Sequence, residues 1–130
     1  MNTPANLKYT KTDEWVLVEG KIATVGVTDF AQSQLSDVVF VEIPVDTGEE
    51  LKKQAHIATI ESVKAAADVN LPVSGKVVET NQKLAETPEL INSDPYGAAW
   101  MLKLEITETT EITQLMDAKA YEDYCSTRSH

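Results

Sequence analysis

Basic residues and cysteine are scarce in this chain. Eleven Lys and Arg stand against twenty-one Asp and Glu, a formal net charge of −10 with a pI near 4.5. Nucleic acid and anionic membrane would each demand a basic face, so neither is an expected partner. The acidity serves solubility or complements a basic docking surface on another protein. Cys125 is the only cysteine, which excludes an intramolecular disulfide and a secreted disulfide scaffold and favours a reducing compartment. The two histidines, His56 and His130, show no zinc-ligand spacing, and neither has a paired nucleophile, so no catalytic constellation and no metal site are expected. No apolar run approaches the length of a membrane-spanning helix, and residues 1–7 carry neither an apolar signal core nor an Arg-rich amphipathic pattern. A soluble protein of the bacterial cytoplasm, or of the mitochondrial matrix after loss of a transit peptide, is the expectation.

What is present suits a globular domain: 130 residues with a hydrophobic share of 42%, enough for one modest core. A single domain over residues 1–130 is expected, with its core over residues 7–107 and a helical segment over residues 110–125. Residues 9–18 read as an irregular acidic patch leading into a strand. Glu19-Gly20 then turns into a partner strand over residues 21–28. Thr28 and Asp29 can cap a short helix over residues 30–35, with Gln32 three residues after Asp29 as in a capping box; Phe30, Ala31 and Leu35 are expected to face inward. Residues 38–43 form the strongest strand pattern, ended by Pro44 and the Asp46-Thr47-Gly48 turn. Residues 49–53 read as a solvated charge run, residues 76–80 as a strand, residues 81–83 as a polar connection and residues 88–97 as a loop dense in turn formers. Over residues 100–106 Trp100, Leu102, Leu104 and Ile106 alternate inward against Lys103 and Glu105. Ile112, Leu115, Met116, Ala120 and Tyr124 then recur at helical spacing, with Thr110 able to cap and Asp117 able to start a second helical piece, and residues 126–130 should fray. Many short strands with regular turn signals predict an all-β sandwich or barrel with a short helix after the first hairpin and C-terminal helices.

The pattern is organised around Lys64, in the run Glu61-Ser62-Val63-Lys64-Ala65-Ala66-Ala67-Asp68. Ala, Glu and Lys are strong helix formers, and Glu61 with Lys64 suits an i, i+3 pair. Against a helix, Thr59, Ile60, Val63 and Val69 are stiff at χ1, and Pro72 with Ser74-Gly75 follows closely. Two strand-like arms flanking a short tip fit better, and the three alanines leave little bulk beside the ammonium.

These eight residues resemble the lipoyl-lysine motif of the H-protein family of the glycine cleavage system. The likeness continues through Tyr9-Thr10-Lys11 with Glu14-Trp15-Val16, Val25 to Gln32, Val38 to Glu42, Pro72-Val73-Ser74-Gly75, Pro88 to Asn92, Asp94-Pro95-Tyr96-Gly97 with Trp100, and Leu115-Met116-Asp117 with Ala120-Tyr121. The chain departs from the family's usual residues at Asp13 (histidine), Ser36 (glycine before Asp37), Ala67 (serine) and Ala99 (glycine before the tryptophan). The resemblance implies a barrel-sandwich hybrid like other lipoyl and biotinyl domains, a monomer, and a carrier rather than an enzyme. It implies lipoate in amide linkage to Lys64, taking an aminomethyl group from glycine decarboxylase to the aminomethyltransferase and reducing equivalents to dihydrolipoyl dehydrogenase. Glu61 and Gly75 would help the lipoylating enzyme recognise the tip, and Thr12, Glu14 and Asp68 would hold the loaded arm.

Other carriers fit less well. Biotinyl domains usually flank the lysine with methionine, whereas Val63 and Ala65 stand here. Acyltransferase lipoyl domains commonly carry aspartate before the lysine. An H-like carrier used for lipoate relay or redox signalling needs the same lysine, and an unmodified β-sandwich interaction module remains the reading from another class.

Overall fold

The computed structural model describes residues 2–128. In chain order the strands are β1 (Lys8–Tyr9), β2 (Glu14–Glu19), β3 (Ile22–Val27), β4 (Val38–Glu42), β5 (Glu50–Leu51), β6 (His56–Ser62), β7 (Ala66–Asn70), β8 (Gly75–Thr80) and β9 (Leu102–Ile106). The helices are α1 (Asp29–Leu35), α2 (Lys83–Glu86), α3 (Leu90–Ser93), a 3₁₀ helix (Thr109–Gln114) and α4 (Ala118–Ser126). Two sheets result: a six-stranded one ordered β1-β2-β3-β9-β8-β5 and a three-stranded one ordered β4-β6-β7. Every pairing is antiparallel, and the inward faces enclose a core that includes Val25, Val41, Ile57, Ile60, Val69, Leu102 and Leu104. This is the expected two-sheet sandwich, left unclosed, with helices at the C-terminal end.

The alternating patterns landed where side-chain period dictates. Glu19 pairs with Ile22, so Gly20 and Lys21 form the tip of the first hairpin, one residue later than Glu19-Gly20. Gly20 takes φ +64°, a left-handed conformation in which glycine meets no steric penalty. Trp15 sits opposite Gly26, and its indole covers the space a Cβ there would fill, at 2.7 Å. Its Nε1 donates to the Pro95 carbonyl at 3.0 Å, which pins the loop before β9.

Several expectations are corrected. Thr28, not Asp29, is the N-cap of α1, its hydroxyl accepting from the Ala31 N–H at 3.2 Å; Gln32 donates instead to the Asp29 side chain. Phe30 and Leu35 are buried and Ala31 is half-buried. Residues 8–9 form a short strand rather than an irregular stretch, and residues 50–51 form one within the charge run, whose Glu49, Glu50 and Lys52 are exposed as expected; β2 and β8 supply the partners. The connection after β8 and the loop after Pro88 each contain a single helical turn, seated by the buried Leu84 and Ile91. Asn81 is buried, with its amide donating to the Ala98 and Trp100 carbonyls. Met101, not Trp100, joins the core ahead of β9; Trp100 is half-buried under the Lys103 ammonium, 5.1 Å from the ring centre.

The C-terminal segment forms two helical pieces, the second starting at Asp117 as expected. A 3₁₀ stretch without a capping bond from Thr110 precedes α4, which Asp117 caps through the Ala120 N–H at 2.8 Å. The buried face of α4 is Tyr121 and Cys125, one residue round from Ala120 and Tyr124. Tyr121 stacks on Tyr9 with ring centres 4.7 Å apart, inside a second cluster with Trp15 and Phe30. Such a stack adds about 0.5–1.5 kcal/mol beyond area burial. Far from fraying, the chain after Cys125 is anchored by Arg128, whose guanidinium donates to both Asp13 carboxylate oxygens at 2.5 and 2.9 Å. Ser129 and His130 of the expected fraying tail lie outside the described residues.

Ser36 ends α1 at φ +64°, ψ −145°, a region that costs a residue with a Cβ about 1–3 kcal/mol. Glycine would be unstrained there but more flexible when unfolded, so Ser36→Gly should stabilise the protein by about 1 kcal/mol net. Thermal unfolding should show a rise of roughly 3–5 °C; an unchanged or lowered midpoint would count against strain at this cap.

Candidate functional site

The arms of the β6–β7 hairpin pair through Glu61 and Ala66, and the Ser62 N–H donates to the Ala65 carbonyl at 2.8 Å. Ser62 also folds its hydroxyl under the turn, where it accepts from the N–H groups of Lys64 (3.3 Å) and Ala65 (3.1 Å). Helix propensity loses here because each arm has a strand partner and the serine side chain satisfies the turn's own donors. Lys64 stands exposed at the tip. Among the described residues its ammonium has no hydrogen bond or ion pair.

The tip is buttressed from behind. The Val63 N–H donates to the Asp37 carbonyl at 3.1 Å. Asn92 on α3 in turn accepts from the Val38 N–H at 2.9 Å and donates to the Ser36 carbonyl at 2.7 Å and to the Gln32 side chain at 3.0 Å. Asn92 thus clamps the α1–β4 link on which Val63 rests. In the sequence it is one turn former among several, and only the Pro88 to Asn92 likeness marks it.

Beside the hairpin opens a cleft of about 310 Å³ between α1, the inner side of β6 and β7, and the loop entering β2. Thr12, Glu14, Phe30, Leu35, Ala67, Asp68 and Arg128 are among its lining residues. Glu14 is 1% exposed. Its Oε1 accepts from the Thr10 and Thr12 hydroxyls at 2.6 and 2.5 Å, and its Oε2 from the Asn70 N–H at 3.2 Å. Burial raises the Glu14 pKa above the ordinary carboxylate value, and the three donors only partly offset this. Asp13, in a left-handed conformation at φ +73°, turns its carboxylate away to Arg128 and to the Tyr121 hydroxyl at 2.8 Å. Arg128 also lies 4.2 Å from the Phe30 ring centre, so the cation at the rim is spent on Asp13 while Glu14 is the acid held inside. Burial beside Trp15 pushes the Tyr96 phenol, which accepts from the Asp29 N–H, up to about 12.

The structure brings Thr12 and Glu14 into direct contact and places Asp68 at the rim. The Asp68 carboxylate is 3.4 Å from His56 Nε2, which also lies 3.0 Å from the Thr59 hydroxyl. Glu61 is exposed on the hairpin opposite Phe40. Gly75 lies apart, in the six-stranded sheet opposite Leu51 and Ile106. It has no positive φ; a Cβ there would collide with the Leu104 side chain and stand 2.5 Å from the Glu105 carbonyl oxygen. Close approach of β8 to β9, and not a turn after Ser74, is what requires glycine. Cys125 is buried on α4.

A family model described as "Glycine cleavage H-protein" matches residues 7–128. A glycine cleavage system H protein of Thermotoga maritima is 56% identical over 119 residues, 92% of this chain and 95% of the relative. One from Symbiobacterium thermophilum is 54% identical over 123 residues, 95% of each. The crystal structure of a glycine cleavage system H protein from Mycobacterium marinum superposes with a TM-score of 0.85 at 31% identity, covering 95% of this chain and 98% of that one.

Proposed function

The chain belongs to the glycine cleavage H-protein family, and from that footing we propose that it is the lipoyl carrier of the glycine cleavage system, with lipoate in amide linkage to Lys64. The observation that supports this most directly is Lys64 itself: exposed at a braced turn, its amine among the described residues engaged by nothing, next to a cleft with a buried acid. When attached, lipoate supplies a dithiolane that accepts an aminomethyl group from glycine decarboxylase, gives it up to the aminomethyltransferase and is reoxidised by dihydrolipoyl dehydrogenase. The protein's own residues present and shelter that arm without catalysing a step. Ser62, Asp37 and Asn92 hold the tip rigid. Glu14, whose carboxyl oxygens accept from two hydroxyls and an N–H, offers a carboxylate to a cationic aminomethyl group, which itself favours the ionised form, with Thr12 beside it. Phe30 and Leu35 line the same cleft with apolar surface and limit water. Asp68 stands at the rim with its carboxylate 3.4 Å from His56 Nε2. Bacterial relatives favour a bacterial cytoplasm.

Reconstitution tests the reading. The lipoylated chain mixed with glycine decarboxylase, aminomethyltransferase and dihydrolipoyl dehydrogenase should restore glycine-dependent turnover. The net charge of −10 makes docking electrostatically steered, so the KM for this protein as substrate of the decarboxylase should rise several-fold between low salt and about 0.5 M. No glycine-dependent turnover would remove the proposed role, whereas a salt-independent KM would remove only the steering.

A further inference from the structure

Among the described residues four large apolar side chains are exposed, and three of them surround the Lys64 turn: Val39 (55%), Phe40 (44%) and Val63 (67%). The fourth, Val78, belongs to the other sheet. The backbone explains the grouping. Phe40 pairs with Glu61, three residues before Lys64, and Val63 hangs from Asp37 through its N–H. The register shift between Val38 and Phe40 is a bulge at Val39 on the edge strand β4, a device that re-aims a side chain and interrupts pairing with further strands. Exposed Asp37, Glu42 and Glu61 rim the group. Exposed apolar side chains grouped at one edge and rimmed by acids mark an interaction site, and an aromatic is the usual anchor.

We propose that the Val39–Phe40–Val63 patch is the docking surface for the enzyme that acylates Lys64, a partner presenting an apolar pocket ringed by Lys and Arg. This rests on Lys64 being the attachment residue. The choice of partner follows from reach. An acylating enzyme must bring its own bound, activated acyl group to Nζ and therefore close over the residues beside Lys64, while enzymes acting at the far end of an attached arm need not touch them. In the step served, the unprotonated amine attacks the acyl carbon of lipoyl adenylate. The C–N bond forms, the acyl C–O bond breaks, AMP leaves, and the nitrogen's proton passes to a base of the enzyme. The two sides of the hairpin thus divide the work: the outer patch admits the acylating enzyme and the inner cleft shelters the finished arm. Glu61, in the acidic rim, takes part in recognition on the same side.

The test uses the full unmodified chain with a lipoate–protein ligase, lipoate and ATP, following the mass gain against chain concentration. Val39→Ser/Phe40→Ser should lower kcat/KM at least tenfold, chiefly through KM, and Val63→Thr roughly threefold; Val78→Ser should match the wild type. All four positions are exposed, so unchanged thermal midpoints certify the fold. A KM within twofold of wild type for both patch variants would overturn the proposal. So would an equal defect in Val78→Ser, or self-association in sedimentation that the double variant abolishes while its KM holds. Failure of the attachment reading is separately visible: Lys64→Arg would then still gain the lipoyl mass.

Discussion

Lys64→Arg should leave a folded protein that gains no lipoyl mass in a lipoylation-competent host and supports no glycine-dependent turnover, a loss of at least 1000-fold. Acylation needs a neutral amine, and a guanidinium stays protonated at any physiological pH and is not acylated in the same way. The substitution keeps the charge at a tip where, among the described residues, the ammonium has no partner to lose. Stability should therefore change by less than about 0.5 kcal/mol, as at other unconstrained surface positions. Peptide mass spectrometry together with reconstituted turnover decides the matter: a lipoyl group on another lysine, or activity persisting in the variant, would sink the assignment.

Glu14→Gln should release the aminomethyl group from the loaded arm roughly 10- to 100-fold faster than the wild type. The variant keeps the side chain's size and an acceptor oxygen but removes the charge. A hydrogen bond to a charged partner is worth about 1.5–3 kcal/mol, against about 1 for a neutral one, and a carboxylate 1% exposed is little screened by solvent. The pH dependence has a definite sign. The folded-state pKa of Glu14 is raised by burial, so the stability that its protonated form contributes to the unloaded protein is fully present below the ordinary carboxylate pKa. That contribution is lost as pH rises through the raised value. A cation in the cleft favours the ionised form, so wild-type release should slow as pH rises through that pKa, while Glu14→Gln should stay flat over the same range. Equal release rates, or parallel pH profiles, would leave the cleft without this role.

Legibility followed the range of the forces involved. The strands of the first hairpin, β4 and the arms around Lys64 could be read because a half-buried strand writes its own alternation into a few consecutive residues. The two-residue strands β1 and β5 and the single turns α2 and α3 carry no such period; each exists because a distant partner or one buried leucine or isoleucine holds it. Ser36 illustrates the boundary. The sequence shows only that a serine stands where the family usually has glycine; φ +64° shows what the backbone does there. Gly75 reverses the case, since its likeness suggested recognition and its surroundings show two strands too close for a Cβ.

By itself the sequence determined the two-sheet class, the exposed lysine turn and the family resemblance, because local periodicity, turn chemistry and an ordered set of motifs are all written along the chain. Tertiary structure alone decided which side of the hairpin meets the cleft, that Glu14 is buried beside Thr12, and that the Asp68 carboxylate lies beside His56. It also decided that Arg128, 115 residues further on, ties down Asp13, and that Asn92 steadies the tip from α3. The reason is the same throughout: a side chain's charge state, exposure and partner are set by residues brought near in space, and a sequence records only those that are near along the chain.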